Sequence, residues 1–249
     1  MKKILFLSIF LILAFQIYAQ GCMEASSDEG VNVVGYLQTQ FETKLLENDN
    51  ESSFTFNRAR MGLVGNIPYD FSYYIMYEFS PFQGGPYLLD GFITYSRFAP
   101  YASVSIGQFK SPFSLELNTP CQGLHTINRS LVVNGLTFPA RDMGLLFKGN
   151  YEKFIKYAIS FTNEISATDG FRDENSNKTI SGRIVVSPFD FVSLGGSYKF
   201  GTSPTDIVDA DEDESKRFAI ELEAKYSDFL FQAEYIRGED IGSYTTGGG

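Results

Sequence analysis

The strongest constraint on this chain is a two-residue period that returns in segment after segment of its second half. Ile155, Tyr157, Ile159 and Phe161 alternate with Lys156, Ala158, Ser160 and Thr162. Ile180, Ile184 and Val186 alternate with Ser181, Arg183 and Ser187, and Val192, Leu194, Tyr198 and Phe200 with Ser193, Ser197 and Lys199. Phe218, Ile220, Leu222 and Tyr226 oppose Arg217, Glu221, Glu223 and Lys225. Successive side chains of a strand point to opposite faces, so this period defines strands with one apolar and one polar face. A helix would scatter the apolar set around its cylinder. Segments 33–46, 53–66, 70–80, 88–98, 101–110 and 141–151 read the same way. With 154–164, 179–187, 191–200, 216–226 and 229–238 they make about eleven strands, each near the length that crosses a bilayer at a tilt.

The connections separate a barrel from a sandwich. Short turns fall at Ile67-Pro68-Tyr69, Ala99-Pro100, Glu152-Lys153, Pro188-Phe189-Asp190 and Ser227-Asp228. Longer loops, 47–52, 81–87, 111–140, 165–178 and 201–215, alternate with them. An antiparallel up-and-down transmembrane β-barrel predicts this sorting, with tight turns on the periplasmic side and long loops outside. A soluble sandwich has no reason for it. The competing reading is a secreted, β-rich module that binds a solute or carbohydrate and uses the 15 Tyr and 24 Phe as a core or stacking face. Cell fractionation separates the two.

The N-terminus carries an export address. Lys2 and Lys3 precede an apolar run from Ile4 to Phe15, and Ala19 stands before Gln20 at a plausible cleavage point. The run is too short for a helical span, and no later stretch is long and apolar enough. This divides the chain into a signal peptide (1–19), a short segment (20–32) and an incomplete barrel domain (33–249). Cys22 leaves a lipoprotein reading open, although Ala19 and Gln20 fit its cleavage box poorly. Cys121 falls in a loop, and two cysteines at this spacing imply no specific pairing. The formal charge is −10, and −12 without Lys2 and Lys3, which excludes a nucleic-acid binder relying on a basic face. Eleven strands is an odd number, and Gly247-Gly248-Gly249 ends the chain without a closing strand. An open edge in lipid would leave unpaired backbone groups, so further strands are expected in the biological protein.

Gly107-Gln108-Phe109-Lys110-Ser111-Pro112-Phe113-Ser114-Leu115-Glu116 resembles a segment of the phosphate-selective porin O and P family. The stretches Phe56-Asn57-Arg58-Ala59-Arg60-Met61-Gly62-Leu63, Asn128-Arg129-Ser130-Leu131 and Pro139-Ala140-Arg141-Asp142-Met143-Gly144 are similar to others in it. The resemblance runs from about residue 33 to 240. It implies a barrel of about sixteen strands, usually a homotrimer in the outer membrane, that passes small anions such as phosphate. It also implies that the 111–140 loop folds inward to narrow the pore.

The polar faces supply the expected pore lining. Arg58 and Arg60 share one face of the second strand, and an Arg facing lipid is costly, so that face should be the lumen. Arg183 and Lys199 repeat the pattern, with Lys156, Arg217 and Lys225. Lys110 and Arg129 sit at or in the 111–140 loop, and Asp90 shares a polar face with Thr94. Strict alternation from Val104 and Ile106 would turn Lys110 toward lipid, unless the strand bends at Gly107 or ends at a rim. Such a lining selects anions by focusing positive potential. Glu78, Asp142, Glu221 and Glu223 are lumen candidates of the opposite sign. Ile159 and Leu222 are expected to face lipid or a neighbouring subunit. Arginine is expected to be better tolerated one step away, at Ser160 and Ala219. A hydrolase built on His125, the one histidine, lacks a matched nucleophile and carboxylate. No spacing calls for zinc, and no cofactor site is expected.

Overall fold

The computed structural model describes residues 30–45, 50–163, 178–202 and 214–241. Its strands are β1 (Asn32–Leu45), β2 (Asn50–Ile67), β3 (Phe71–Glu78), β4 (Tyr87–Phe98), β5 (Ala102–Lys110) and β6 (Arg141–Tyr151), followed by β7 (Ile155–Thr162), β8 (Thr179–Phe189), β9 (Val192–Thr202), β10 (Glu214–Tyr226) and β11 (Phe229–Ile241). Each pairs antiparallel with the next in sequence, so eleven strands form one meander with β1 and β11 at its edges. Residues 1–29, with the expected export signal and Cys22, lie outside the described residues, as do 203–213 and 242–249.

Every expected strand is present, and the differences lie at the ends. β2 begins at Asn50, inside an expected loop, because Leu45 to Asn50 closes a ladder that runs on past the apolar part of the strand. Asn50, Glu51 and Ser52 show no apolar alternation there, so pattern alone could not find it. β8 runs through Pro188 to Phe189, which the sequence placed in a turn. A register shift between Val186 and Phe189 accommodates Pro188, whose nitrogen cannot join a ladder. The short connections, 68–70, 99–101, 152–154, 190–191 and 227–228, all fall at one end of the sheet. Glu152 and Ser227 adopt positive φ (51° and 52°), as tight hairpin turns require.

The two faces invert the usual order of burial. Leu37, Phe41, Ile106, Phe147, Ile159 and Ile184 are exposed on one face, while Ser105, Ser181, Ser197 and Glu221 are buried on the other. Leu222 pairs with Leu194 on the apolar face. Such a surface is stable against lipid and not against water, which removes the soluble-module reading. Near the short turns, aromatic rings gather on the apolar face. Phe189 stacks on Phe191 at 5.5 Å, Phe191 meets Tyr226 at 6.5 Å, and Tyr101 meets Tyr151 at 6.3 Å. A belt of this kind sits at the membrane–water boundary.

One expectation fails. Ser160 is 1% exposed and Ala219 fully enclosed, so neither has room for arginine. Their parity is inward as expected. The inner face at these points is covered by the 111–140 segment and is not open water.

Candidate functional site

The 111–140 segment begins where Gly107 changes the course of β5. Gly107 has φ +134°, a conformation L residues rarely adopt. A Cβ there would lie 2.2 Å from the Gly91 carbonyl oxygen and 2.7 Å from Phe92 Cα, across the ladder. Gln108 then donates its side-chain amide to the carbonyls of Leu88 (3.0 Å) and Leu89 (2.9 Å), the second of which a bulge in β4 leaves without a register partner on β3. Lys110 is the last residue of β5, and its side chain borders the same cavity as Arg60, Asp90 and Arg141.

Beyond Lys110 the chain enters the inner face with its own small core. Phe113 is fully buried, and Leu117 and Val133 nearly so. The segment holds two short helices, α1 (Leu115–Asn118) and α2 (Leu131–Leu136). Ser114 caps the first by accepting from Leu117 N at 3.1 Å, and Ser130 caps the second by accepting from Val133 N at 3.2 Å. Arg129 donates to the carbonyls of Glu116 (3.0 Å), Leu117 (3.2 Å) and Thr119 (2.8 Å), satisfying the open C-terminal end of α1.

The segment is tied to both sides of the sheet. Ser111 Oγ reaches Ser181 Oγ on β8 at 3.2 Å, and Ser114 N donates to Ser197 Oγ on β9 at 3.1 Å. On β11, the Glu234 carboxylate accepts from Leu115 N at 2.7 Å and Glu116 N at 3.3 Å. On β2, Arg58 donates to Ile127 O (2.8 Å) and Asn128 Oδ1 (3.1 Å), and the buried Asn57 to Asn128 Oδ1 (3.0 Å). Arg217 on β10 donates to Leu136 O at 3.2 Å. The segment therefore crosses the inner face from β2 to β11.

The expected pore residues divide by partner. Arg60 donates to Glu78 at 2.7 Å, Tyr36 at 2.8 Å and Cys121 Sγ at 3.1 Å. Asp90 is gripped by Arg141 through two bonds, 2.8 and 3.2 Å. Arg183 forms the same fork with Glu221, at 3.1 and 2.5 Å. These three pairs are close to neutral. Arg58 bonds only to uncharged groups and its Nε has no partner, while Arg129 bonds to three backbone carbonyls and, at 3.5 Å, to the Cys121 thiol. The Lys110 side chain has neither a hydrogen bond nor an ion pair among the described residues. Lys199 stands near Phe138 O, farther along the segment. Arg60, Asp90 and Lys110 thus share one cavity of about 930 Å³ beneath the segment. Arg58 and Arg129 act on its anchors, and Arg183 and Lys199 stand on the wall of β8 and β9. Among the described residues no cluster could hold a metal ion.

Sequence reasoning missed three members. Arg141 follows Ala140 in a stretch similar to the porin family, but alternation could assign only one of Arg141 and Asp142 to the lumen. Tyr36 gave no signal, since tyrosines are common throughout. Cys121 read as incidental, yet its Sγ lies between Arg60 (3.1 Å) and Arg129 (3.5 Å). Burial raises the thiol's pKa, but Arg60, Arg129 and a hydrogen bond with Tyr36 outweigh it and lower it to about 6. As pH rises through 6, a negative charge forms between two cations and offsets them. Anion preference, read as reversal potential in a KCl gradient, is expected to be greater at pH 5 than at pH 8. Cys121→Ser should flatten that profile, and an unchanged profile would refute the role of the thiol.

An outward apolar face, an inward polar one and sorted connections define an outer-membrane porin wall. The model of the phosphate-selective porin O and P family matches residues 32–208, and the chain belongs to that family. The family is one of diffusion channels in the outer membrane, not of enzymes, which disposes of the hydrolase reading of His125. Solved porins share the fold. A loop-deletion mutant of OmpT, an outer-membrane protein of Vibrio cholerae, aligns with TM-score 0.60 at 12% identity over 88% of this chain and 72% of its own. Pseudomonas putida OprB aligns with TM-score 0.56 at 13% identity, over 85% and 66%. An anion-selective porin from Comamonas acidovorans aligns with TM-score 0.50 at 10% identity, over 85% and 79%. No curated protein matches the sequence.

Proposed function

We propose that this porin passes small anions in preference to cations, with phosphate among them. The observation that carries the reading is the uncompensated Lys110 in the cavity beneath the inward segment, where the neighbouring Arg60 and Arg141 are each matched by one carboxylate. Arg58 adds positive charge close by with no acid attached, and so does Arg129 while the Cys121 thiol is protonated. Positive groups in a narrow passage with low-dielectric walls raise the local concentration of anions. Arginine also grips phosphate oxygens through paired bonds, an arrangement Arg141 already makes with Asp90. The acid-rich stretch 209–213 lies outside the described residues. In the complete protein, about sixteen strands would close the wall, with three copies assembled side by side in outer-membrane lipid.

Lys110→Gln tests the charge reading. In planar bilayers the wild-type protein is expected to prefer chloride to potassium, and the variant to do so less. The gap between them should widen as salt falls below 0.1 M, where the screening length exceeds about 10 Å. A cation-selective wild type, or equal reversal potentials for both proteins, would overturn the anion reading and leave the porin fold intact.

A further inference from the structure

A water-filled lumen calls for polar side chains, yet one stretch of the inner wall is apolar. Tyr74 and Met76 of β3, Leu89 and Phe92 of β4, Phe109 of β5 and Leu146 of β6 all border the cavity that holds Lys110, Arg60 and Arg141. Four of them are nearly buried, packed in the wall. Tyr74 and Phe92 are only half-buried, and their rings stack at 5.4 Å with 23° between planes. They are register partners, so the pair forms a continuous aromatic ledge on two adjacent strands. The next position across the ladder from Phe92 is Gly107, so no side chain covers the ledge on that side. Lys110, whose side chain has no ion-pair partner among the described residues, stands three residues beyond Gly107 on the same strand, roughly 10 Å at the rise of a strand.

Inorganic phosphate gains nothing from a ring-lined wall. A molecule that joins an acid group to a planar ring fits both halves of the cavity. We propose that the channel holds a binding site for small aromatic anions, the acid group against Lys110, Arg60 and Arg141 and the ring on Tyr74 and Phe92. The inference rests on the anion reading for its charged half, and its apolar half stands on the ledge alone. The cavity volume, about 930 Å³, lies within the range of ligand pockets.

The probes are phenyl phosphate against inorganic phosphate, and benzoate against acetate, each tested as a blocker of chloride current through the protein in planar bilayers. Each pair shares its acid group and differs in the ring. The ring-bearing member is expected to block at about tenfold lower concentration, the effect of ~1.4 kcal/mol of added binding. In a Tyr74→Ser, Phe92→Ser double variant that advantage should fall below twofold. Tyr74→Leu, which keeps apolar bulk and removes one ring, should lie between and covers the case in which the double variant does not assemble. Equal block by both members of each pair, or an aromatic advantage that survives in these variants, would overturn the site. The reversal potential in plain KCl reads the charge preference separately, so failure of the anion reading is distinguished from failure of the ledge.

Discussion

Gly107→Ala is expected to abolish assembly of the barrel wall. The added methyl would stand 2.2 Å from the Gly91 carbonyl oxygen, and that atom is backbone in a paired strand with no rotamer to change. The φ of +134° adds a conformational penalty of about 1–3 kcal/mol before any clash is counted. Relief would require β4 and β5 to separate, which would break the ladder between Gly91–Gln108 and Phe92–Gly107 and displace the Gln108 amide from Leu88 and Leu89. Folded protein in outer-membrane extracts, scored by the mobility shift between unheated and heated samples, should fall to near zero. Gly135→Ala, in α2 with open space around it, is the control and should assemble normally. Assembly of Gly107→Ala at the wild-type level would show that the bend is not required.

The second large effect separates lipid from lumen. Ile159→Arg places a charge on the exposed apolar face of β7 and is expected to cost about 2–4 kcal/mol if the site lies near the bilayer midplane. Ser160→Arg, one step away, should also fail, for a different reason. Ser160 pairs with Ser181, whose hydroxyl receives Ser111 from the inward segment, so a long side chain there would lift the segment off the wall. Ser160→Ala is the discriminating variant. Its Oγ is buried without a partner, so removing it should be neutral or slightly stabilising. Folded yield of the three variants checks this, and tolerance of Ile159→Arg would show the register to be wrong.

The periodic parts of this structure were legible in the sequence because lipid and lumen impose opposite chemistry on alternate residues. Ile155 to Thr162 needed no other information. The bulges in β4 and β8 were not legible, since a bulge depends on the partner strand and not on its own residues. The inward course of residues 111–140 was implied by resemblance, but its anchors were not. Glu234 carries no signal of its own in the sequence, and its role appears only when the free N–H groups of α1 are placed beside it. Ser160 and Ala219 read as positions open to water for the same reason, since nothing local to β7 or β10 announces a cover delivered by a distant segment. Lys110 was ambiguous because strict alternation fails at Gly107, where backbone conformation overrules the period.

The anchors of the inward segment also set an order of events during biogenesis. Leu115 N and the Glu234 carboxylate that holds it are separated by 119 residues, while β1 to β5 pair through local hairpins that close first. The segment leaves β5, but the strands that hold its far side are β8, β9 and β11. Its two serine contacts need β8 and β9, three and four strands beyond β5, and its carboxylate clasp needs β11, the sixth. A wall of β1 to β5 alone therefore offers the segment only its anchors on β2, and its far side is unsecured until the later strands are in place.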